Sequence, residues 1–280
     1  MNPYLEMARP VNSLMSGLAA VIGFLVASGM TLNGGLTSML MLFASACLFS
    51  AASMAINDYF DREIDAINQP HRPIPSGRVT PRGALCFSIA LMAVGFTLAS
   101  VVGLLSLLVA VLACAVFTAY SARLKRMGLL GNAAVSLCVA LTFIYGSTGW
   151  GYPTALIALF SLMAFLANMS REVVKGVVDV EGDSAKGVRT LAVVVGLRGA
   201  SMASLVFMAS AVAISVLPYV LGYVNQLYLP LISVADVGLL ASSCYTALKP
   251  TPYTAKRAKN LMLIFMCIAL AAFLAGSAPS

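Results

Sequence analysis

Charge is what this sequence has least of. Only 10% of its 280 residues are Asp, Glu, Lys or Arg, 60% are apolar, and the mean hydropathy is +0.94; soluble domains carry about 25% charged residues. The shortage excludes a water-soluble domain and implies a polytopic membrane protein. Histidine is nearly absent as well: His71 is the single one, and its place in a loop among arginines reads as incidental rather than catalytic. The six cysteines (Cys47, Cys86, Cys114, Cys138, Cys244 and Cys267) fall singly within apolar stretches. Without paired spacing they read as small buried hydrophobes, not as a disulfide framework or metal ligands. No small-residue cleavage signature follows the first apolar run, so that run is expected to stay in the mature protein.

What is present is a series of apolar runs of about 17 to 25 residues, the length that crosses roughly 30 Å of hydrocarbon. They lie near 11–30, 36–56, 83–102, 104–121, 129–148, 154–175, 196–217, 229–248 and 260–277. The expected fold is thus all-α, with about nine transmembrane helices. Basic residues test the topology, because Lys and Arg collect on the cytoplasmic side. Arg9 precedes the first run, and Arg62, Arg72, Arg78 and Arg82 follow the second. Arg123, Lys125 and Arg126 follow the fourth, while Arg171, Lys175, Lys186, Arg189 and Arg198 surround the link from sixth to seventh. Lys249, Lys256, Arg257 and Lys259 separate the eighth from the ninth. The intervening connections, 31–35, 146–153 and 219–230, carry no charge. Nine spans in a cell membrane with the N-terminus in the cytoplasm satisfy this asymmetry throughout. The net charge of +7 then needs no nucleic-acid partner.

Eight of the ten carboxylates form two clusters: Asp58, Asp61, Glu63 and Asp65, then Glu172, Asp179, Glu181 and Asp183. At about 100° per residue, Asn57, Asp58, Asp61 and Asp65 share one helical stripe and Glu63 faces away. Asn168, Glu172, Lys175, Asp179 and Asp183 make a second stripe, with Glu181 opposite. Like charges at i,i+4 destabilise a helix, so something positive is expected on each. Hard oxygen ligands suit Mg²⁺, which is commonly held by one or two carboxylates plus the phosphates of a substrate. A plain alternative is a solvated helix end paired with Arg62 and Arg72; for Lys175 it is an internal ion pair with Asp179, alongside service to a phosphate as a point charge. Asp61 to Asp179 and Asp65 to Asp183 are equally spaced, a weak echo of two related halves. Between first cluster and third run, Pro70, Pro73, Pro75 and Pro81 forbid a regular helix. That loop is expected to cover the acidic stripes.

These motifs resemble the UbiA superfamily of intramembrane prenyltransferases. The resemblance rests on Asn57-x3-Asp61-x3-Asp65, the Pro70-His71-Arg72-Pro73-Ile74-Pro75-Ser76-Gly77 loop, Tyr120-Ser121 with Lys125-Arg126, Asp179-x3-Asp183, and Arg9-Pro10-x-Asn12. It covers nearly the whole chain. It implies one prenyltransferase domain over 1–280, helices around a central apolar cavity for the prenyl tail, and an active site at the cytoplasmic side under cap loops near 62–82, 122–128 and 176–195. It also implies a polyprenyl diphosphate donor bound through Mg²⁺ on Asp61, Asp65, Asp179 and Asp183. Asn57 and Asp58 would support these, and Lys125, Arg72, Arg78 and Lys175 would contact the diphosphate. Ionisation of an allylic diphosphate needs no activated nucleophile, so the lack of a Ser-His or Cys-His pair is no objection.

Within the superfamily, Ser170-Arg171-Glu172-Val173-Val174-Lys175 through Asp183 resembles the branch of archaeal digeranylgeranylglyceryl phosphate synthases, as does Arg9 through Met15. That branch implies geranylgeranyl diphosphate as donor and geranylgeranylglyceryl phosphate as the lipophilic acceptor, with membrane lipid around both. The branch commonly carries an acid where this chain has Gly176. An aromatic acid such as 4-hydroxybenzoate is the alternative acceptor. Cation transport fits less well, because only Asp236 is a midspan acid, and a CDP-alcohol phosphotransferase would need an Asp-Gly-x2-Ala-Arg segment that is missing.

Overall fold

Apolar residues in unbroken runs leave helix as the backbone's only way to satisfy its own polar groups in a membrane. The computed structural model describes residues 2–185 and 187–278, without the side chain of Arg126, and among these all regular structure is helical. Lys186, one of the basic residues used for topology, lies outside the described residues. In chain order the helices are α1 (Pro3–Ala8), α2 (Pro10–Ala27), α3 (Leu36–Asn68), α4 (Pro81–Val102), α5 (Leu104–Ala122), α6 (Leu129–Ser147) and α7 (Ala155–Val178). They continue as α8 (Val180–Ala185), α9 (Leu191–Ser215), α10 (Leu217–Val220), α11 (Tyr228–Leu248) and α12 (Pro252–Ser277). A 3₁₀ turn, Leu124–Met127, links α5 to α6. Among the described residues nine helices are long and apolar enough to cross a membrane, α9 and α10 counting as one.

The expected spans match in number and differ at their ends. Helix α3 does not stop near residue 56 but runs to Asn68, so it carries the whole first acidic cluster, as the helical spacing requires, and the cap loop begins after residue 68 rather than near 62. Helix α12 likewise begins at Pro252, eight residues before the expected 260, because Thr251 caps it in a reciprocal capping box with Thr254 and proline occupies its first turn. The expected start of the seventh run at 196 marks a kink inside α9: Gly196 has φ +77° and ψ 168°, a conformation open to glycine. The cysteines also differ from expectation. None is in a disulfide, but none is fully buried either, and Cys86 and Cys267 are exposed on the helix exterior, where an apolar thiol can face lipid.

The chain divides into two compact units. Unit 1 comprises residues 1–124 and 141–153, and unit 2 comprises 125–140 and 154–280. In unit 1, α3 packs on α2 and α4 around Ala20, Phe24, Leu42, Ala46, Ala99, Ala110 and Tyr145. Hydroxyls join neighbouring helices: Ser88 Oγ donates to the Ala52 carbonyl at 2.9 Å, and Ser45 and Tyr145 share a 2.6 Å hydrogen bond. Such small hydroxyl residues let helices approach where lipid gives no hydrophobic drive. The closest approach is backbone to backbone. A Cβ on Gly23 would lie 2.0 Å from the Phe143 carbonyl oxygen, and one on Gly146 1.9 Å from that of Ala20.

Unit 2 is built on α7, which packs on α9 and α12, while α11 packs on α12 and α9. Its core joins Val173, Val174 and Val177 to Ala200, Met208, Leu239, Ala255, Ala258 and Met262. Ser170 on α7 meets Ser204 on α9 at 2.8 Å and Ser243 on α11 at 3.4 Å. Further along, Phe160 stacks on Phe273 at 4.0 Å between centroids. There the midspan acid Asp236 accepts a 2.6 Å hydrogen bond from Ser215 Oγ, and Tyr228 donates to the Ser215 carbonyl at 2.8 Å. A polar helix neighbour therefore accounts for this carboxyl's presence within a span.

Candidate functional site

The long α3 presents Asn57, Asp58, Asp61 and Asp65 on one face, as the helical spacing requires, and each is only 3–5% exposed. Glu63 points outward. Buried carboxylates of one sign need partners, and unit 1 supplies them from two directions. The Arg9 guanidinium donates to Asp58 Oδ1 and, at 3.0 Å, to the Met54 sulfur. Arg72 Nη1 donates to Asp65 Oδ2 at 2.6 Å and lies 3.4 Å from Asp58 Oδ1. Asn57 Nδ2 donates to Asp61 Oδ2 at 2.8 Å. Burial pulls the Arg72 pKa down, but the carboxylates of Asp65 and Asp58 outweigh it and hold the group above the usual arginine value. Removing Arg72 would leave the buried Asp65 without its ion pair, a change that costs about 3–5 kcal/mol in soluble proteins, whereas removing Arg9 would leave Asp58 the longer contact to Arg72.

The proline-rich loop places Arg72. It has no helix, as its prolines require, and it is fastened to the rest of unit 1 by Ile74 and Val79, which join Met7, Ala55 and Ala84 in a small core. Val79 N–H donates to the Pro73 carbonyl at 2.9 Å. Arg78 forks onto both oxygens of Glu6, at 2.7 and 3.0 Å, and onto the His71 carbonyl at 2.6 Å. Hydrogen bonds from Arg78 hold the Glu6 carboxyl below its usual range against slight burial. A depressed carboxyl stabilises the fold above its unfolded pKa and loses that contribution as pH falls through the folded value. Glu6→Gln should therefore raise hydrogen exchange of the Val79 amide at neutral pH about threefold, the scale of an exposed ion pair. The wild type should approach the same rate, corrected for intrinsic exchange, on acidification below the glutamate range.

In unit 2 the second cluster sits where α7 ends. Asp179 is the C-cap of α7, with its N–H on the Lys175 carbonyl at 3.1 Å. Asp183 on α8 donates its N–H to the Asp179 carbonyl at 3.0 Å. Helical spacing thus carries across the break, and Asp183 is buried while Glu181 is exposed. Glu172, 8% exposed, takes Lys175 Nζ at 3.2 Å and Arg171 at 3.6 Å, with Lys125 a further cation acting on it. Asn168 donates to Ser136 Oγ at 3.0 Å. A side chain at Gly176 would meet Thr190 at 3.7 Å, an ordinary contact, so glycine there is not forced by crowding.

Two residues were not singled out by the sequence reading. Arg9 appeared as a topology charge and as part of a resemblance, yet it bonds Asp58 from a backbone at φ +46° and ψ 71°, a left-handed conformation uncommon outside glycine. Such strain persists where surrounding structure fixes it, and Pro10 after it hinted at a special turn. Lys259 was read as a loop cation but lies on α12; its phase with the buried Ala255, Ala258 and Met262 could have revealed it. As for metal, among the described residues no three carboxylate, thiol or imidazole groups converge on one point. Unit 1 instead offers the carboxylates of Asp58, Asp61 and Asp65, and unit 2 those of Glu172, Asp179 and Asp183, spread along helical turns with amide and guanidinium neighbours. That donor set fits Mg²⁺, which keeps waters and shares a phosphorylated ligand, rather than a dedicated cage.

Among the described residues the protein is thus an all-helical, multi-pass membrane protein with buried carboxylates and cations at its helix ends. The chain is a member of the UbiA prenyltransferase family, which it matches over residues 16–276, and it is therefore a prenyltransferase. It is 41% identical over 276 residues to a digeranylgeranylglyceryl phosphate synthase of Methanopyrus kandleri, covering 98% of this chain and 99% of the relative. A solved structure described as digeranylgeranylglyceryl phosphate synthase in membranes matches with a TM-score of 0.75 and 29% identity, over 98% of this chain and 97% of that one. A UbiA homolog from Archaeoglobus fulgidus bound to GPP and Mg²⁺ shares the fold, with a TM-score of 0.69 and 20% identity over 97% and 99% of the two chains.

Proposed function

We propose that this prenyltransferase transfers the geranylgeranyl group of geranylgeranyl diphosphate to the free hydroxyl of geranylgeranylglyceryl phosphate, forming the second ether bond of an archaeal lipid. The observation that carries the reading is the 41% identity to a synthase of that name along 99% of its length. The family match spans both units, which supports their working as one domain over 1–280. In this reading the N-terminus, both acidic helix ends and the basic connections are cytoplasmic.

The chain's own groups then divide the work. Asp61 and Asp65 in unit 1 and Asp179 and Asp183 in unit 2 hold Mg²⁺, with Asn57 fixing the Asp61 carboxylate by its 2.8 Å hydrogen bond and Asp58 anchoring Arg9 and Arg72. Bound Mg²⁺ supplies Lewis-acid stabilisation of the departing diphosphate. Arg72, Arg78, Lys125 and Lys175 present cations to the diphosphate oxygens, a preorganised field aimed at the charge that develops. Arg78 is held on Glu6 and the His71 carbonyl in the structure and would have to leave that carboxylate to take this part. The allylic C–O bond breaks with its electron pair going to diphosphate, and the acceptor oxygen bonds to the allylic carbon. The proton leaves that oxygen last, when it has become strongly acidic. Apolar helix faces keep water from the cationic carbon.

The test is product analysis with purified protein, Mg²⁺ and labelled geranylgeranyl diphosphate, offering geranylgeranylglyceryl phosphate and 4-hydroxybenzoate in parallel. A labelled diether from the first acceptor alone is the expected result. Product from the aromatic acid alone would replace this acceptor, and intact donor with both would overturn the substrate assignment altogether.

A further inference from the structure

Four basic residues lie between residues 249 and 259, and the structure treats one of them differently. Lys249, Lys256 and Arg257 are exposed, as expected of cations that set topology. Lys259 is turned onto the packed face of α12, between Ala255, Ala258 and Met262, all fully buried. The charged groups that act on it are Asp179, Lys175, Arg171 and Glu172, all on α7 or at its end. Glu172 is already engaged by Lys175 and Arg171. Among the described residues, Lys259 makes no hydrogen bond or ion pair of its own.

An ammonium held at the start of an apolar span without a close anion is costly, and such groups mark ligand sites more often than packing. Lys259 thus joins Arg171, Lys175 and Lys125 among the cations that act on the charged end of α7, and α12 packs directly on α7. A compact anion that accepts from a point-charge donor would suit the ammonium, and a phosphoryl group is the natural one. Topology alone would be served by an exposed lysine; structural neutralisation of Asp179 would draw the ammonium into contact with it.

We propose that Lys259 is a phosphate-binding residue of unit 2, contacting a phosphoryl oxygen of one of the two phosphorylated substrates. The proposal rests on the prenyl-transfer reading. Both substrates carry that chemistry, the donor as a diphosphate and the acceptor as a phosphate monoester, and the experiment separates them. Full-length protein in nanodiscs of zwitterionic lipid is compared as wild type, Lys259→Met, which keeps the stem and removes the charge, and Lys259→Arg. Steady-state KM is measured for each substrate at saturation of the other, and thermal shift is measured with inorganic pyrophosphate and with geranylgeranylglyceryl phosphate separately. Lys259→Met should raise one KM about tenfold, as expected for losing a charge-assisted hydrogen bond, with kcat changed less than about threefold. Lys259→Arg should recover most of the loss, and the thermal shift by the matching ligand should shrink in parallel. A rise in the acceptor KM assigns the lysine to the monoester; a rise in the donor KM assigns it to the diphosphate. Unchanged KM values, or equal impairment by Met and Arg together with a fall in Tm, would overturn the proposal. A wild type that turns over neither substrate would instead sink the prenyl-transfer reading, and the thermal-shift comparison would still decide whether Lys259 holds phosphate.

Discussion

Asp61→Asn and Asp183→Asn should each lower pyrophosphate release from geranylgeranyl diphosphate by about 10³-fold or more, the scale of losing a main electrostatic contribution to a charged transition state. The double variant should be little worse than either single one. The proposed reaction has both act on one leaving group, and groups that act as one unit are strongly non-additive, whereas two independent effects would multiply. Stability should move much less. Asp61 shares a buried helix face with Asp58 and Asp65, which repel it, and it attracts Arg72, so the near-isosteric Asn, which still accepts from Asn57, should leave Tm little changed. A fall in Tm matching the fall in rate would mean that the carboxylate is structural. A rate loss under tenfold would remove Asp61 from the metal-binding set.

Gly146→Ala should be the most damaging single methyl added to unit 1. Its Cβ would sit 1.9 Å from the Ala20 carbonyl oxygen, and Gly23 meets Phe143 in the same way, so a methyl on either side pushes backbone against backbone. Neither carbonyl can yield as a flexible side chain would. Overpacking costs typically 1–3 kcal/mol and more where backbone must move, and about 3 kcal/mol corresponds to a Tm loss of roughly 5–10 °C in a chain of this size. Thermal unfolding in detergent checks it. A control at Gly176, where a side chain would meet only Thr190 at 3.7 Å, should shift Tm by less than a quarter as much. If both alanines were tolerated equally, the α2–α6 crossing would be looser than its geometry shows.

Much of this was legible in the sequence because membranes simplify the problem. Apolar length fixed the number of spans, and the charge rule ordered the connections. The stripes of Asn57, Asp58, Asp61 and Asp65 and of Glu172, Asp179 and Asp183 follow from helical period alone. What escaped depends on context. The span limits near residues 56 and 260 failed because hydropathy ends where charge begins, while α3 and α12 continue through charged residues that helix geometry tolerates. Arg9 and Lys259 carry no local signal of their partners, since Asp58 lies 49 residues from Arg9, and Lys259 shares its surroundings with residues of α7. The pairing of Arg78 with Glu6 was equally hidden: it joins a loop to a short helix that the apolar pattern did not announce.

The 33 residues of α3 span about 50 Å, against roughly 30 Å of hydrocarbon. The last turns, which bear Asp58, Asp61 and Asp65, can therefore rise out of the oily layer while their own helix remains rooted in it. The two-tailed product of the proposed reaction can keep its tails among the acyl chains from start to finish while its head group is handled at the boundary. Encounter between enzyme and lipid is then a search in two dimensions. The quantity that governs its speed is the mole fraction of substrate in the bilayer, not its molarity in the surrounding water.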